Sequence, residues 1–418
     1  MSSQNTSTRN RSCRICKSEN LLEFLKLGSM PLANGFLKPE HINDEEPSFP
    51  LDMHYCTNCG LVQLLDIVPK ESLFKYYVYY SSISKAFSNH CAEMAEEVVE
   101  RFASSTDSLV VEIGSNDGVF LKQLRKHNVK LVGVEPASNL AETARAEGLE
   151  TINDFFSEEV ALKLVKSKGN ASVIISTNTI SHINDLEGLM RGIDILLNEK
   201  GVFILEDPYF VDVIENNEYD QIYHEHLSYF SVRPLVHLFG QFGMEIFDIK
   251  REPEIHGGSI RVYVRRRVSD SALPEAVDKH LALEKSMRLD QQDRYLEFAS
   301  KVNLARDELS DLLKKLKGEG KRVVGYGASS KGNVILNFCN IGPETLDYIA
   351  DATPSKQGLY TPGKHIPVLA EEKFREDYPD YAVLFAWNFA DEILQKQRQY
   401  REGGGKFILP VPTPRISS

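Results

Sequence analysis

Residues 110–121 read VVEIGSNDGVFL. A β-branched apolar run, Leu109–Ile113, stops at Gly114. The polar turn Ser115-Asn116-Asp117 follows, then Gly118, then Val119, Leu121 and Leu124 at helical spacing. The pattern predicts a strand, a glycine-rich loop and a helix. Such a loop presents backbone N–H groups and a helix N-terminus to a ligand beyond the carboxyl end of the strand. A second strand, Lys130–Val134, leads into Glu135, 21 positions after Gly114. That is close to the spacing of roughly 20 expected of an acid that accepts from ribose hydroxyls. With no pyrophosphate to cradle, S-adenosylmethionine suits the loop, and ExGxxxG (Glu112, Gly114, Gly118) is nearer its pattern than GxGxxG. A tight turn in an ordinary α/β protein is the competing reading.

Outward from this unit, strands and helices alternate over residues 109–268. Strands are predicted at 109–113, 130–134, 172–177, 201–205 and 260–265, and helices at 118–127, 138–148, 186–198 and 232–243. The alternation predicts an open parallel sheet with helices on both faces. Polar clusters follow the strands where such sheets hold ligands: residues 178–182 (NTISH) and 206–208 (EDP). Upstream, residues 83–102 read as an amphipathic helix with Ile83, Phe87, Cys91, Met94, Val98 and Phe102 on one stripe. A second α/β unit begins at Lys321 with KRVVGYGASSKGNVILNF. Gly325, Gly327 and Gly332 allow close backbone approach, and Ser329, Ser330 and Lys331 at the helix start favour a phosphate or diphosphate. Further strands are predicted at 346–350, 381–387 and 406–409. Between the two units, residues 274–317 read as helix throughout. Tyr295, Phe298, Val302, Ala305, Leu309, Leu312 and Leu316 form a heptad-like seam, which could pair with another chain but more simply packs down one domain.

The 418 residues predict two or three domains, and 42% hydrophobic with 26% charged residues is ordinary for a globular chain. A net charge of −12, with a basic run only at 265–267, argues against general nucleic-acid binding. No apolar run approaches the roughly 18 residues of a membrane span. The polar N-terminus lacks a signal-peptide core, so a cytoplasmic protein with a disordered stretch at 1–12 is expected. Of six cysteines, four form the pairs Cys13/Cys16 and Cys56/Cys59, separated by 39 residues that hold short strands such as 48–55 and 61–67. Two such knuckles complete a closed Cys₄ site, which predicts structural zinc with no part in chemistry. Cys91 and Cys339 read as core residues.

Two polar stretches remain. Residues 76–84, YYVYYSSIS, read either as a half-buried strand or as the wall of an active site supplying phenol donors. Residues 219–229 read YDQIYHEHLSY. There His is suited to moving protons near neutral pH, Tyr to donating to an oxyanion and Glu to fixing a His tautomer. If extended, the segment puts Tyr223 and Glu225 on one face and His224 and His226 on the other. A turn lets Tyr223 and His226 converge. A metal site would need a third ligand, His182 or His256, without any usual spacing, and a polar loop with its own hydrogen bonds is the bland alternative.

The chain resembles the sugar C-methyltransferases that act on nucleotide-linked 4-keto deoxysugars, such as the dTDP-sugar C-3′-methyltransferases. The resemblance runs over nearly the whole chain: CRIC and CTNCGLVQ, then YVYYSS, EIGSNDG, GVEP, NTISHINDL, YHEHLSYF, HGGSIRVYV, GYGASSKGN and DATPSKQGLYTPGKHIPV. It implies a zinc-binding domain (1–75), a class I methyltransferase domain (76–270), a helical connector (271–320) and a C-terminal Rossmann-like domain that binds the nucleotide sugar (321–418). By motif, Tyr223, Glu225 and His226 resemble the catalytic group, joined by Tyr77 or Tyr79. His226 is then the base, Tyr223 donates to the enolate and Glu225 orients His226. Glu112, Gly114, Ser115, Asn116, Gly118, Glu135, Pro136, Asp154, Phe155 and Asn178 fall to S-adenosylmethionine, with plain core as the rival reading of Phe155. His182, His256, Gly258, Ser329, Ser330 and Lys331 fall to the sugar nucleotide. The expected partner is that substrate alone, bound by a monomer without nucleic acid or membrane. Methylation of another acceptor, O-methylation, or a non-catalytic binding module are the alternatives.

Overall fold

A computed structural model describes residues 7–255, 257–268 and 272–417. Its largest sheet has seven strands in the order Met244–Glu252, Ser259–Arg266, Leu197–Pro208, Ala171–Thr177, Leu109–Ile113, Lys130–Val134 and Thr151–Ile152. Leu197–Pro208 through Thr151–Ile152 run parallel, and their inner residues are almost wholly apolar, as strands covered on both faces should be. The edge differs from the all-parallel expectation: Ser259–Arg266 is antiparallel to both its neighbours. Its outer partner, Met244–Glu252, was hidden in the sequence because a register shift between Ile246 and Asp248 breaks the two-residue alternation. Helix Glu158–Lys168 also went unpredicted, although Ser157 caps it by accepting from the Val160 amide.

The tyrosine-rich stretch is not a strand. Residues 76–80 are irregular, Ser81–Ile83 is a single 3₁₀ turn, and Ser84 caps helix Lys85–Phe102. Phe87, Cys91, Met94 and Val98 are buried, while Ile83 lies outside the helix and is exposed. This helix is bolted to the sheet by charge as well as by apolar contact. His90 Nε2 donates to Glu206 Oε1 at 2.7 Å, and Arg261 Nε donates to Glu206 Oε2 at 2.7 Å. Arg261 also reaches Glu97 at 2.9 Å. Burial alone would raise the Glu206 carboxyl, but the His90 hydrogen bond and the Arg261 charge outweigh it and hold the group below its usual range.

A four-stranded sheet carries the second cysteine pair at the turn between two of its strands, in the order Ser228–Tyr229, Val62–Leu64, Phe49–Cys56, Leu21–Met30. Its first strand comes from the far side of the chain, two residues beyond His226, and pairs antiparallel with Val62 and Gln63. Thr8–Arg9 pairs with Asp66–Ile67. The disorder expected at 1–12 therefore does not hold for residues 7–12, and residues 1–6 lie outside the described ones. The third sheet, of six strands, is ordered Val368–Ala370, Ile349–Asp351, Val323–Tyr326, Tyr381–Leu384, Lys406–Leu409, Arg415–Ser417, with only the last antiparallel. The connector is two helices, Glu275–Ser286 and Gln292–Gly318, instead of one. Its seam faces inward: Tyr295 stacks on Tyr55 at 4.1 Å and meets Phe24 at 5.2 Å, so the long helix packs on the cysteine-bearing sheet. Leu313 replaces Leu312 as the buried residue of that stripe. Among the described residues no helix is long and apolar enough to cross a membrane.

Replacing Arg261 by Met should leave Glu206 buried with one partner removed, and should lower unfolding stability by about 3–5 kcal/mol in a urea titration.

Candidate active site

One cavity of about 1050 Å³ is walled by all three sheets' loops. The glycine-rich loop forms one side. Gly114 has φ +73°, and a Cβ there would stand 2.2 Å from Thr179 Oγ1, so only glycine fits. Glu135 accepts from the Asn116 and Ala137 amides, both at 2.8 Å, and burial pushes its carboxyl up to about 7. Burial, with Glu135 and Asp117 nearby, raises the Glu112 carboxyl well above its usual range. Glu112 Oε2 and Ser115 Oγ are buried without a hydrogen-bond partner among the described residues, although both residues line the cavity. Buried polar atoms are rarely left so, and a polar ligand answers them. Asn116 and Asn178 both line the cavity with left-handed φ, +50° and +51°. Pro136 and the half-buried Phe155 line it too, which sets aside Phe155 as plain core; Lys70 Nζ lies 4.2 Å from the Phe155 ring centre. Two expected cofactor residues stand elsewhere. Gly118 begins the helix packed against Leu149, and Asp154 is exposed with its carboxylate on the Phe155 amide. Neither lines the cavity. A donor loop with orphaned acceptors, a glycine held against Thr179 and an aromatic rim fits S-adenosylmethionine.

The opposite wall carries the YHEH segment, which is turned rather than extended. The His226 amide donates to the Tyr223 carbonyl at 2.9 Å, and the two rings stand 3.9 Å apart. His226 Nδ1 lies 2.8 Å from the Gln221 carbonyl. A carbonyl only accepts, so Nδ1 carries the proton and Nε2 is the basic nitrogen of the neutral ring. His182 stacks on His226 at 5.1 Å, and Phe74 stacks on His182 at 5.4 Å. Burial among these rings pushes the His182 imidazole down to about 4. His224 points away, with Nε2 donating to the Phe49 carbonyl at 3.0 Å.

Glu225 does not orient His226 as expected. Its two oxygens accept from Asn34 Nδ2 and the Tyr77 hydroxyl, each at 2.8 Å, and the backbone carbonyl of Gln221 holds the imidazole instead. Burial raises the Glu225 carboxyl despite those two hydrogen bonds. Of the two candidate tyrosines both line the cavity, but Tyr77 makes this bond and Tyr79 is the more exposed. Asn34, Gln221 and Phe74 were missed in the sequence. Nothing in PLANGF marks Asn34, because its partner lies 191 residues away.

The third wall is the start of helix Ser330–Phe338. Ser329 caps it, accepting from Gly332 N at 3.0 Å. Gly327, Ser329, Ser330 and Lys331 line the cavity, and the Ser330 hydroxyl is within hydrogen-bonding reach of Tyr223. Lys356 donates to the Ala328 carbonyl at 2.7 Å, and Asp351 accepts from the Ala328 amide at 2.6 Å. Gly258 is not on the wall; its carbonyl accepts from the Tyr209 amide at 3.0 Å. His256 lies outside the described residues.

Away from the cavity, the Sγ atoms of Cys13, Cys16, Cys56 and Cys59 all lie within 4.8 Å of one another. Four thiolates about 2.3 Å from a tetrahedral ion stand about 3.8 Å apart, so the corner fits zinc with no open position. Its knuckle also carries Arg14, whose guanidinium is buried and donates to the carbonyls of Leu64 and Leu227. Leu227 follows His226. The metal corner therefore reaches the site through one side chain, as a structural support without a part in the chemistry.

Three family models match the chain in order: "Putative zinc binding domain" over residues 13–74, "Methyltransferase domain" over 87–248 and "C-methyltransferase C-terminal domain" over 254–412. The C-methyltransferase NovU of Streptomyces niveus is 36% identical over 406 residues, covering 97% of this chain and 96% of its own length. Among solved structures, a SAM-dependent methyltransferase from Anabaena variabilis is 17% identical and covers 46% of this chain and 97% of its own (TM-score 0.33). The magnesium protoporphyrin IX methyltransferase of Synechocystis PCC 6803 with bound SAM is 11% identical and covers 43% and 79% (TM-score 0.33).

Two outcomes follow from this geometry. Chelating zinc should unpair Val62–Leu64 from Ser228–Tyr229, and activity should fall in step with metal release and with loss of β signal in circular dichroism. His182 is neutral in the folded protein but takes up a proton near pH 6.5 when unfolded. The unfolded state therefore binds more protons between about pH 6.5 and 4, and stability falls as pH drops through that window. His182→Phe keeps the ring stack, and should lose less stability than wild type between pH 7 and 5 in denaturant titrations.

Proposed function

The chain belongs to the C-methyltransferase family and uses S-adenosylmethionine, and we propose on that premise that its acceptor is a nucleotide-linked 4-keto-deoxyhexose methylated at C-3′. The observation that carries this reading is one cavity with three different walls: the glycine-rich loop, the Tyr223–His226 turn, and the helix start at Ser329, Ser330 and Lys331. A sugar nucleotide needs the last for its diphosphate and the second for its ring.

A ring C–H is no nucleophile until an adjacent ketone acidifies it. His226 Nε2 removes that proton, and the Gln221 carbonyl on Nδ1 stabilises the imidazolium that results. The negative charge moves to the ketone oxygen. Tyr223 meets it as a donor, since burial, with Glu225 nearby, raises its hydroxyl and keeps it protonated. Each of these two effects is worth roughly 10²–10⁴-fold. Glu225, itself held by Asn34, accepts from the Tyr77 hydroxyl at the rim of the same space, and stacked His182 and Phe74 exclude water from the back of the base. Glu112, Gly114, Ser115, Asn116, Glu135, Pro136, Phe155 and Asn178 hold the cofactor, which when bound supplies an electrophilic methyl group on a sulfonium. Ser329, Ser330 and Lys331 take the diphosphate. The reading divides the chain at about residues 75, 270 and 320, as its motifs do. On this reading the enzyme works as a monomer in the cytoplasm.

His226→Asn should bind S-adenosylhomocysteine in calorimetry as wild type does and lose turnover by at least about a hundredfold. With wild type and a dTDP-4-keto-deoxyhexose, carbon NMR of the product should place the new methyl on C-3; a methyl on C-5 or on oxygen overturns the assignment of the acceptor carbon.

A further inference from the structure

Residues 217–221 lie between the C-terminal unit and the base, and three side chains tie them to that unit. Asn217 Nδ2 donates to the Pro412 carbonyl at 2.9 Å. Tyr219 packs on Phe338 with ring centres 5.6 Å apart, and its hydroxyl is 3.8 Å from Cys339 Sγ. Trp387 Nε1 donates to Asp220 Oδ2 at 2.5 Å. The next residue, Gln221, offers the carbonyl that holds His226 Nδ1. Asp220 is fully buried, whereas Trp387, the chain's one tryptophan, is half-buried beside the cavity. Over its indole ring, 4.9 Å from the centre, lies Lys331 Nζ, on the wall read above as the diphosphate site.

We propose that Trp387 is a positioning residue for the methyl transfer. Through its hydrogen bond to Asp220 it fixes the 219–221 turn, and with it the Gln221 carbonyl that aims the His226 imidazole. The C-terminal unit then does more than anchor a nucleotide: it sets the orientation of a base contributed by the central unit. An indole N–H on a buried carboxylate is a charge-assisted bond of defined direction. It adds a direction across the units to the bonds that close this single 3₁₀ turn from within, Gln221 N to the Glu218 carbonyl and Ile222 N to the Tyr219 carbonyl, both at 3.1 Å. The position of Lys331 over the same ring adds a reporter. A diphosphate that draws Lys331 toward itself changes the charge above the indole, and with it the fluorescence of the single tryptophan.

The inference rests on His226 acting as the base, and the test separates the two. With S-adenosylhomocysteine bound in place of the methyl donor, proton removal is read as deuterium wash-in from D₂O at the carbon next to the ketone of a dTDP-4-keto-deoxyhexose. Trp387→Phe keeps the ring but loses the N–H donor, and Asp220→Ala breaks the same bond from the other side. Each should slow exchange about tenfold or more with the sugar nucleotide's Kd unchanged. Asp220→Asn keeps an acceptor oxygen and should exchange within about twofold of wild type. Exchange at the wild-type rate in folded Trp387→Phe or Asp220→Ala overturns the proposal, as does a loss explained by weaker substrate binding. His226→Asn should abolish exchange; if it exchanges normally, the base assignment fails whatever Trp387 does. Addition of dTDP to wild type should change tryptophan emission in a saturable way, and Lys331→Ala should remove that response. A saturable response of wild-type size in Lys331→Ala would rule out the reporter role.

Discussion

The pairing of Ser228–Tyr229 with Val62 and Gln63 is the constraint from which the site follows. It joins a strand of the cysteine-bearing sheet to the residues directly after His226. Around that pair, Arg14 holds the Leu227 carbonyl, Asn34 holds Glu225 and the Phe49 carbonyl holds His224. Each of these donors or acceptors comes from the first fifty residues. A closed zinc corner needs no chemistry of its own to matter here, because it fixes the backbone from which the acid–base residues hang.

The electrostatics of the cavity wall follow from the burial of the groups that form it. Burial raises the carboxyls of Glu112, Glu135 and Glu225, while the Tyr223 hydroxyl is raised and the His182 imidazole lowered. All five shifts favour the neutral form, the signature of desolvation rather than of charge pairing. A neutral wall around a basic nitrogen suits proton abstraction from carbon, since charge appears only when the reaction moves it. In the Glu206–Arg261–His90 cluster on the sheet beneath, by contrast, pairing outweighs burial and holds the Glu206 carboxyl below its usual range.

Much of this was legible in the chain. The glycine loop, Glu135, the four cysteines and the convergence of Tyr223 with His226 in a turn are local patterns, and local patterns survive into the fold. What could not be read was long-range. Glu225 looked like the partner of its neighbour His226, but Asn34 and Tyr77 claim it from 191 and 148 positions away. Gly118 and Asp154 carry the right residue types near the loop, yet one packs on Leu149 and the other caps its own turn. The antiparallel edge escaped notice because a bulge erased the alternation of Met244–Glu252. Gln221 acts through its backbone carbonyl, which no side-chain motif records.

A strand borrowed from so far along the chain has a consequence for synthesis. The N-terminal sheet cannot be completed until residue 229 has left the ribosome, long after all four cysteines have emerged. Until then Val62–Leu64 is a bare edge, open to any extended segment that passes. The nascent chain must keep that edge unpaired through the whole emergence of the first α/β half, so the last step of N-terminal folding is also the first moment at which the base can be in place.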